Sequence, residues 1–443
     1  MKRYEKETKL LQSRGLISEK MRQHFRAFFA PLLSILDELL DSRLVYTFFG
    51  LLQCLLLVRS RSGYLLSELG GYLLSPEQAP AGTKRISNLL RSKKWEPSII
   101  TTYLQQQAVI HVEKMLSVGE MPLMVWDSSV VEKPESKALE GLAAVPSLKD
   151  KRLRRFRLGF SAPQSYETLT VPGHYWATLL VVGLRTAPRL FTFAWWTRQG
   201  KYVQNFRQVR WQLLEQVRTH LGNVITHVFD RGFAGKPWLG LLLHNQDHFI
   251  MRWPARYVLN SQQGEARKTY RFSVGRKNQS TRKLWDTHKQ CWQKVGLVSL
   301  PVFHPDYPLH PLWLVISRPQ GKNRKPWYLL TDLPADKPQQ AWKIVLAYQR
   351  RWQVEMSFRY GKTELAVASP RLWWWENRLK FLMMLALVYA FLLSLLDPQL
   401  HHQRRALLRL GCHRTGKRYR KAKVPLYRLR LALIMIMPLQ NSG

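Results

Sequence analysis

Acidic residues are scarce in this chain, so where they stand carries weight. Of 443 residues, 29 are Asp or Glu against 69 Lys or Arg. Two of the acids follow apolar runs that read as buried strands: Asp127 after PLMVW (122–126) and Asp230 after VITHVF (224–229). In an open α/β sheet, side chains at strand ends project into the crevice where ligands bind. Two carboxylates there supply the hard oxygen donors that Mg²⁺ prefers. Asp also ends strands simply because it favours turns, and Asp332, after PWYLLT, is an equally placed rival.

A long helix is expected from about residue 338 through Glu355. With Tyr348 as zero, Arg351 falls at about −60°, Glu355 at about −20° and Lys362 at about −40° around its axis. A phenol, a guanidinium, a carboxylate and an ammonium then share one stripe. A phosphate-bearing substrate beside a metal calls for that set. The carboxylate binds metal, Arg and Lys bind phosphate, and Tyr stacks or donates a hydrogen bond. The competing reading is an exposed charged face with i,i+4 pairing of Arg351 and Glu355.

Around these residues the pattern divides the chain. Residues 1–115 read as helical, with Phe28, Phe29, Leu32, Leu33, Ile35, Leu36, Leu39 and Leu40 on one apolar stripe and Pro31 suited to a first turn. Two short segments, 64–74 and 83–92, follow; Thr83 can cap the second, which carries Lys84, Arg85 and Arg91. Such a helix pair fits a DNA groove or a plain bundle equally well. From 121 the runs YWATLLVVGL, RLFTFAWW, VITHVF and HFIMRW read as strands, interleaved with helical patterns, which predicts a mixed α/β sheet. Residues 254–337 break the rhythm with short strand candidates and a basic stretch. Nine Lys/Arg lie from Arg252 to Lys283, opposed by Glu265 alone.

The net charge of +40 points to a polyanionic partner, nucleic acid before an anionic membrane surface. The tail, 398–443, has no acid and 11 Lys/Arg between Arg404 and Arg430. Three dispersed cysteines exclude a disulfide framework or zinc ribbon. The charged N-terminus does not read as a signal peptide. The longest apolar run, 381–396, is shorter than the roughly 18–20 residues that span a bilayer. It predicts a buried core helix, with the cytoplasm as default compartment. No Walker A, HExxH or suitably placed GxGxxG appears, nor any Ser/His/Asp or Cys/His nucleophile constellation.

The spacing Tyr348, Arg351, Glu355, Lys362 resembles the Y-R-E-K signature of bacterial insertion-sequence DDE transposases. That cut-and-paste group has an RNase H-like catalytic domain interrupted by a β-strand insertion. WDSS with Asp127 resembles its first catalytic Asp, FDRGF with Asp230 its second, and Glu355 its Glu. PWYLLTDLP resembles the insertion segment whose Trp, here Trp327, stacks on a base flipped from the transposon end. It stands 21 residues before Tyr348.

The resemblance implies an α/β fold with the insertion, an all-helical N-terminal domain and a helical, basic C-terminal region. The divisions are 1–115 (helical, DNA-binding), 116–253 and 338–397 (RNase H-like, first and second parts), 254–337 (insertion) and 398–443 (tail). It implies two Mg²⁺ ions, with Mn²⁺ as a substitute, held by Asp127, Asp230 and Glu355. Trp327, Tyr348, Arg351, Lys362 and Arg252 are the implied DNA contacts. Also implied are double-stranded DNA as partner (transposon ends and target), a homodimer in the DNA complex, no membrane, and a bacterial, nucleoid-associated setting. The activity implied is end cleavage followed by joining of the 3′-OH to target DNA. The alternatives are an RNase H-like nuclease without strand transfer and a non-catalytic, transposase-derived DNA-binding protein.

Overall fold

The computed structural model describes residues 2–58, 63–136, 138–147, 169–286, 291–321, 325–411 and 426–437, with side chains from residue 13 onward, Asp286 apart. Six of the tail's basic residues, between 412 and 425, lie outside them.

The chain opens with five helices: α1 (Lys2–Leu39), α2 (Ser42–Leu57), α3 (Leu66–Leu73), α4 (Ala79–Arg91) and α5 (Pro97–Ser117). On α1, Ile17, Met21, Phe25, Phe29, Leu32 and Leu36 are buried, one every third or fourth position as a helix face requires, and Leu40 just beyond it continues the series. Pro31 therefore does not open a helix; it lies well inside α1. Phe29 and Leu32, both fully buried, anchor the inward face on either side of it. The α3–α4 pair meets at its backbones. A Cβ on Gly82 would stand 2.2 Å from the Gly70 carbonyl oxygen, so only glycine allows this approach. Thr83 is not a cap. It sits within α4 and its hydroxyl donates to the carbonyls of Ala79 (2.7 Å) and Leu66 (3.2 Å), tying the two helices together. Ile86, Leu89 and Leu90 turn into the bundle, while Lys84, Arg91, Lys93 and Lys94 stay exposed.

One twelve-stranded sheet follows. Its first part comprises β1 (Leu123–Glu132), β2 (Ala143–Pro146), β3 (Thr170–Val182), β4 (Arg189–Trp196), β5 (Thr226–Phe229) and β6 (His248–Arg252), with α6 (Phe206–Leu221) and α7 (Lys236–His244) as connections. The second part comprises β7 (Val258–Asn260), β8 (Ala266–Lys268), β9 (Ser280–Asp286), β10 (Cys291–His304), β11 (Tyr307–Pro319) and β12 (Trp327–Thr331). The hydrogen-bonded order is β2-β3-β1-β5-β6-β12-β11-β10-β7-β8, with β4 on β3 and β9 on β10. Parallel pairs β1–β5 and β5–β6 sit among antiparallel ones. This is the mixed α/β architecture that the patterning predicts, with the helical N-terminal region beside it. Of the short strands expected after 254, PWYLL is the five-residue β12, but LPVF and LWLVI lie within the longer β10 and β11, a hairpin of 14 and 13 residues with Pro301, Pro308 and Pro311 inside them. β12 pairs with β6, so these strands prolong the same sheet.

The single long helix expected from 338 is two: α8 (Pro338–Gln349) and α9 (Trp352–Thr363). Between them Arg350 and Arg351 keep helical angles, but their N–H groups bond to the carbonyls of Ala347 and Tyr348, three residues back. This tight 3₁₀ turn breaks the helix at the residues the site uses.

The next helix, α10 (Trp375–Ser394), is long and apolar enough to cross a membrane, but 89% of its apolar window is buried inside the protein. It is the core helix the 381–396 run predicts. Phe391 meets Phe25, Phe28 and Phe29 of α1, and Tyr389 stacks on Phe193 of β4, so one helix joins the N-terminal bundle to the sheet. Each such aromatic burial contributes about 1.5–3 kcal/mol.

The tail forms α11 (His401–Gly411) and α12 (Leu426–Ile436). Leu429, Arg430, Ala432, Leu433 and Ile436 are buried, so α12 belongs to the core and is not a free basic arm.

Candidate active site

The parallel pairing of β1 with β5 sets the site. Leu123 pairs with Thr226, Met124 with His227 and Val125 with Val228. Carried two residues further, that register puts Asp127 beside Asp230. β5 stops at Phe229, and Asp230 enters the 3₁₀ turn Arg231–Phe233 in extended conformation. β1 does not stop. It runs on to Glu132 paired with β3, Asp127 opposite Thr178. Asp127 is thus not a strand end, as its sequence suggests, but stands where β1 parts from β5. The alternation of a strand puts Val125, Asp127 and Ser129 on one face.

Helix α9 covers that face. Phe358 and Gly361 lie against Trp176 of β3; a Cβ at Gly361 would stand 2.7 Å from the indole. That close approach brings the whole predicted stripe onto the carboxylates. Arg351 donates to Asp127 (Nη1 to Oδ2, 3.2 Å) and also to Glu355. Tyr348 donates to Asp230 Oδ1 at 3.3 Å. Lys362 donates to Ser129 Oγ at 2.7 Å. Tyr348 is buried and the Arg351 side chain is 12% exposed, so the solvated-face reading of the stripe fails. Trp327 opens β12 with its ring edge-on to Tyr348 at 5.2 Å. Arg252, at the end of β6, lies close enough to Tyr348 to favour its ionised form. Asp332 is at the opposite end of the sheet, accepting from the Phe249 N–H (2.8 Å) and His248 Nδ1 (2.6 Å).

The electrostatics follow from burial and crowding. Burial pushes the Asp127 carboxyl up to about 6; Arg351 and the Ser128 N–H oppose this, while Asp230 and Glu355 add to it. Burial disfavours the Arg351 charge, but Tyr348, Asp230, Glu355 and Asp127 together outweigh it and hold the guanidinium protonated. Burial raises the Tyr348 phenol to about 12, so it is a donor. Burial lowers the Lys362 ammonium to about 8 against the pull of Glu132 and Asp127.

Two residues here have no counterpart in the sequence reading. Ser129 had no visible face, because the strand seemed to end two residues earlier. Arg210, on α6, feels the charge of Asp127. It stands 20 residues before Asp230, and no local pattern marks it.

The donor set suits a hard divalent cation: oxygen atoms only, clustered, with a positive charge already among them. That charge is the Arg351 guanidinium, which spans two of the three acids. Among the described residues no three His, Cys, Asp or Glu side chains converge on one point as they stand. Asp127, Asp230 and Glu355 are the residues that would hold such an ion.

Residues 204–391 match the family model of the transposase DDE domain. The match takes in Asp230, Tyr348, Arg351, Glu355 and Lys362; Asp127 lies before it and is joined to them by the β1–β5 register. The chain is also similar to a piggyBac transposase, solved by cryo-EM as a synaptic complex with hairpin DNA. Identity is 14% over 91% of this chain and 78% of that one, with a TM-score of 0.43. No curated protein matches it significantly. Over residues 204–391, then, this chain is similar to the transposase DDE domain, whose family works with divalent metal ions.

Proposed function

We propose that this chain is a DNA transposase that cuts the ends of its own element and joins them to target DNA. The observation that carries the reading is the meeting of Asp127, Asp230 and Glu355, from two strands and a helix, around a single guanidinium. Those three carboxylates would hold two Mg²⁺ ions, with Mn²⁺ as a substitute. Ions bound there supply activation of a water and stabilisation of a departing 3′ oxygen. In the first step the water oxygen bonds to phosphorus, the bond to the 3′ oxygen breaks, and the element is left with a 3′-OH. In the second that hydroxyl attacks a target phosphodiester, forming the new bond as the target's own 3′ oxygen leaves.

The chain's side chains position these steps. Arg351, once released from Asp127 and Glu355, and Lys362 hold non-bridging phosphate oxygens, with Arg252 on the adjoining backbone. Tyr348 orients Asp230. Trp327 stacks on a base flipped beside the cut, its inner edge fixed by Tyr348. Duplex DNA is the partner that +40 calls for, and joining two ends requires a dimer in the DNA complex. A bacterial cytoplasmic, nucleoid-associated setting follows from that reading.

The test is a duplex carrying the element's end, incubated with Mg²⁺ and target plasmid. Cleaved and joined products are expected. D127A, D230A and E355A should each lose cleavage and keep end binding. Cleavage without any joined product would leave a nuclease. W327A should slow base-flipping steps by about 5- to 150-fold, one stacking contact, with partial rescue by an end lacking the partner base. Light scattering with and without end DNA reports the dimer.

A further inference from the structure

Helix α6 brings one more guanidinium to this site. The Arg210 Cζ lies 3.8 Å from the ring centroids of both Phe206, one turn back on α6, and Phe233, in the turn after Asp230. One N–H group donates to the Gly232 carbonyl at 3.3 Å; the Nε is buried and has no hydrogen-bond partner. Among the described residues no carboxylate lies within ion-pair distance of it. By contrast Arg189 pairs with Asp397, Arg218 with Asp247 and Arg351 with Asp127 and Glu355. Arg430 also lacks an acid, but its donors are spread over four backbone carbonyls, whereas Arg210 has one carbonyl and a buried Nε with no partner, which leaves it under-satisfied as a purely structural element. The two rings hold the guanidinium in place, and the donors that neither ring nor Gly232 takes up form part of a planar fork of the kind that meets phosphate.

Its position supplies the rest. Along β1, Leu123 and Val125 pack with α9 and α10, whereas Met124 and Trp126 pack with α6. Helix α9, the signature helix that carries Glu355 and Lys362, and α6 therefore lie on opposite faces of the sheet, and the carboxylates stand at the edge between them. Arg351 and Lys362 reach that edge from one face and Arg210 from the other, near enough to Asp127 to feel its charge.

We propose that Arg210 is a phosphate-binding residue, gripping the DNA backbone next to the cut from the face opposite the signature helix. This rests on the DNA-transposase reading. Because the contact is electrostatic, it is read without metal or catalysis. The full-length chain is bound to end DNA in EDTA, and affinity is followed against salt. R210M, which keeps the aliphatic stem between the rings, should lower the slope of log K against log salt by about 0.9, one phosphate. A scan of single methylphosphonates should show one position that weakens the wild type and leaves R210M unaffected. Independently of any variant, end DNA should protect Arg210 of the wild type from modification by phenylglyoxal. Normal wild-type binding with Arg210 unprotected, or an R210M slope and methylphosphonate profile matching the wild type, overturns the inference alone. A wild type showing no salt-dependent binding to any duplex overturns the underlying reading with it.

Discussion

Two arginines, one half-buried and one buried, stand at the two ends of one short helix, and their partners differ in kind. Arg351 stands at the start of α9 among Asp127, Asp230 and Glu355. Arg430, 3% exposed on α12, donates to backbone carbonyls: Leu56 at 3.0 Å, Leu55 and Val58 at 2.9 Å, and Glu364, the residue that ends α9. It also reaches the Tyr64 hydroxyl at 3.1 Å. Leu55–Leu57 close α2, whose last carbonyls have no partner within the helix and carry its partial negative charge. Arg430 thus completes a helix end with acceptors that exist only in the folded backbone. The acceptors of Arg351 are carboxylates, the groups that the proposed function assigns to a metal ion. A guanidinium held by carbonyls is fixed, whereas one held by acids can be exchanged.

The largest effect should come from the fixed one. R430M leaves the Leu56, Val58 and Glu364 carbonyls without a donor, and Leu55 with only the Tyr64 hydroxyl at 3.5 Å; at about 1–3 kcal/mol for each bare carbonyl, a loss on the order of 3 kcal/mol or more is expected in urea unfolding. Wild-type stability in R430M would break the contrast. It also follows that deleting 399–443 is no clean test of DNA contacts, since it removes core residues of α12 with the basic ones.

D127N should act in the opposite direction. The folded Asp127 carboxyl sits at about 6, above its ordinary 3.8, so its protonated form is the one folding favours. The associated stability is fully present below about pH 4 and is lost as pH rises through 6. D127N removes that loss, adding about 2–3 kcal/mol at pH 8 and little at pH 4, while abolishing cleavage. Equal gains at both pH values would mean Asp127 carries no such strain.

G361A tests whether the two arginines are linked. The Cβ collides with Trp176, itself stacked on Trp195 at 4.6 Å, so α9 must shift. A cost of about 1–3 kcal/mol is expected, with faster amide exchange at both ends of α9. Exchange confined to one end would show that they hold it independently.

K362M should give the smallest change. Lys362 titrates at about 8, so its charge disappears as pH rises from 7 to 9. Over that range the wild-type salt slope for end DNA should become shallower by about 0.9. K362M should show no such pH dependence; an identical change in both assigns it elsewhere.

What was legible in the sequence was local. The stripe of Tyr348, Arg351, Glu355 and Lys362 needed only helical period, and it survives the 3₁₀ turn because that turn displaces its members little. The apolar 381–396 run announced a core helix by composition. What failed depended on distant partners. Asp-Ser-Ser after PLMVW reads as a turn, yet β1 continues because β3 pairs with it as far as Glu132. Pro31 reads as a helix start, yet fully buried neighbours carry α1 through it. Arg430 reads as one more tail charge until α2 supplies its carbonyls, and Arg210 is ordinary until Phe233 closes on it.

The unbroken sheet has a geometric consequence. Adjacent strands are rotated by roughly 20–25°, so the five steps from β1 through β5, β6, β12 and β11 to β10 accumulate roughly 100–125°. A twist of that ordinary size sets the β10–β11 hairpin nearly crosswise to β1. A stiff rod lying along the crevice at Asp127 and Asp230 would meet that hairpin broadside, like a rail across a sleeper, with β1 and the hairpin, each third from its end of the strand order or next to that place, about a quarter-turn apart.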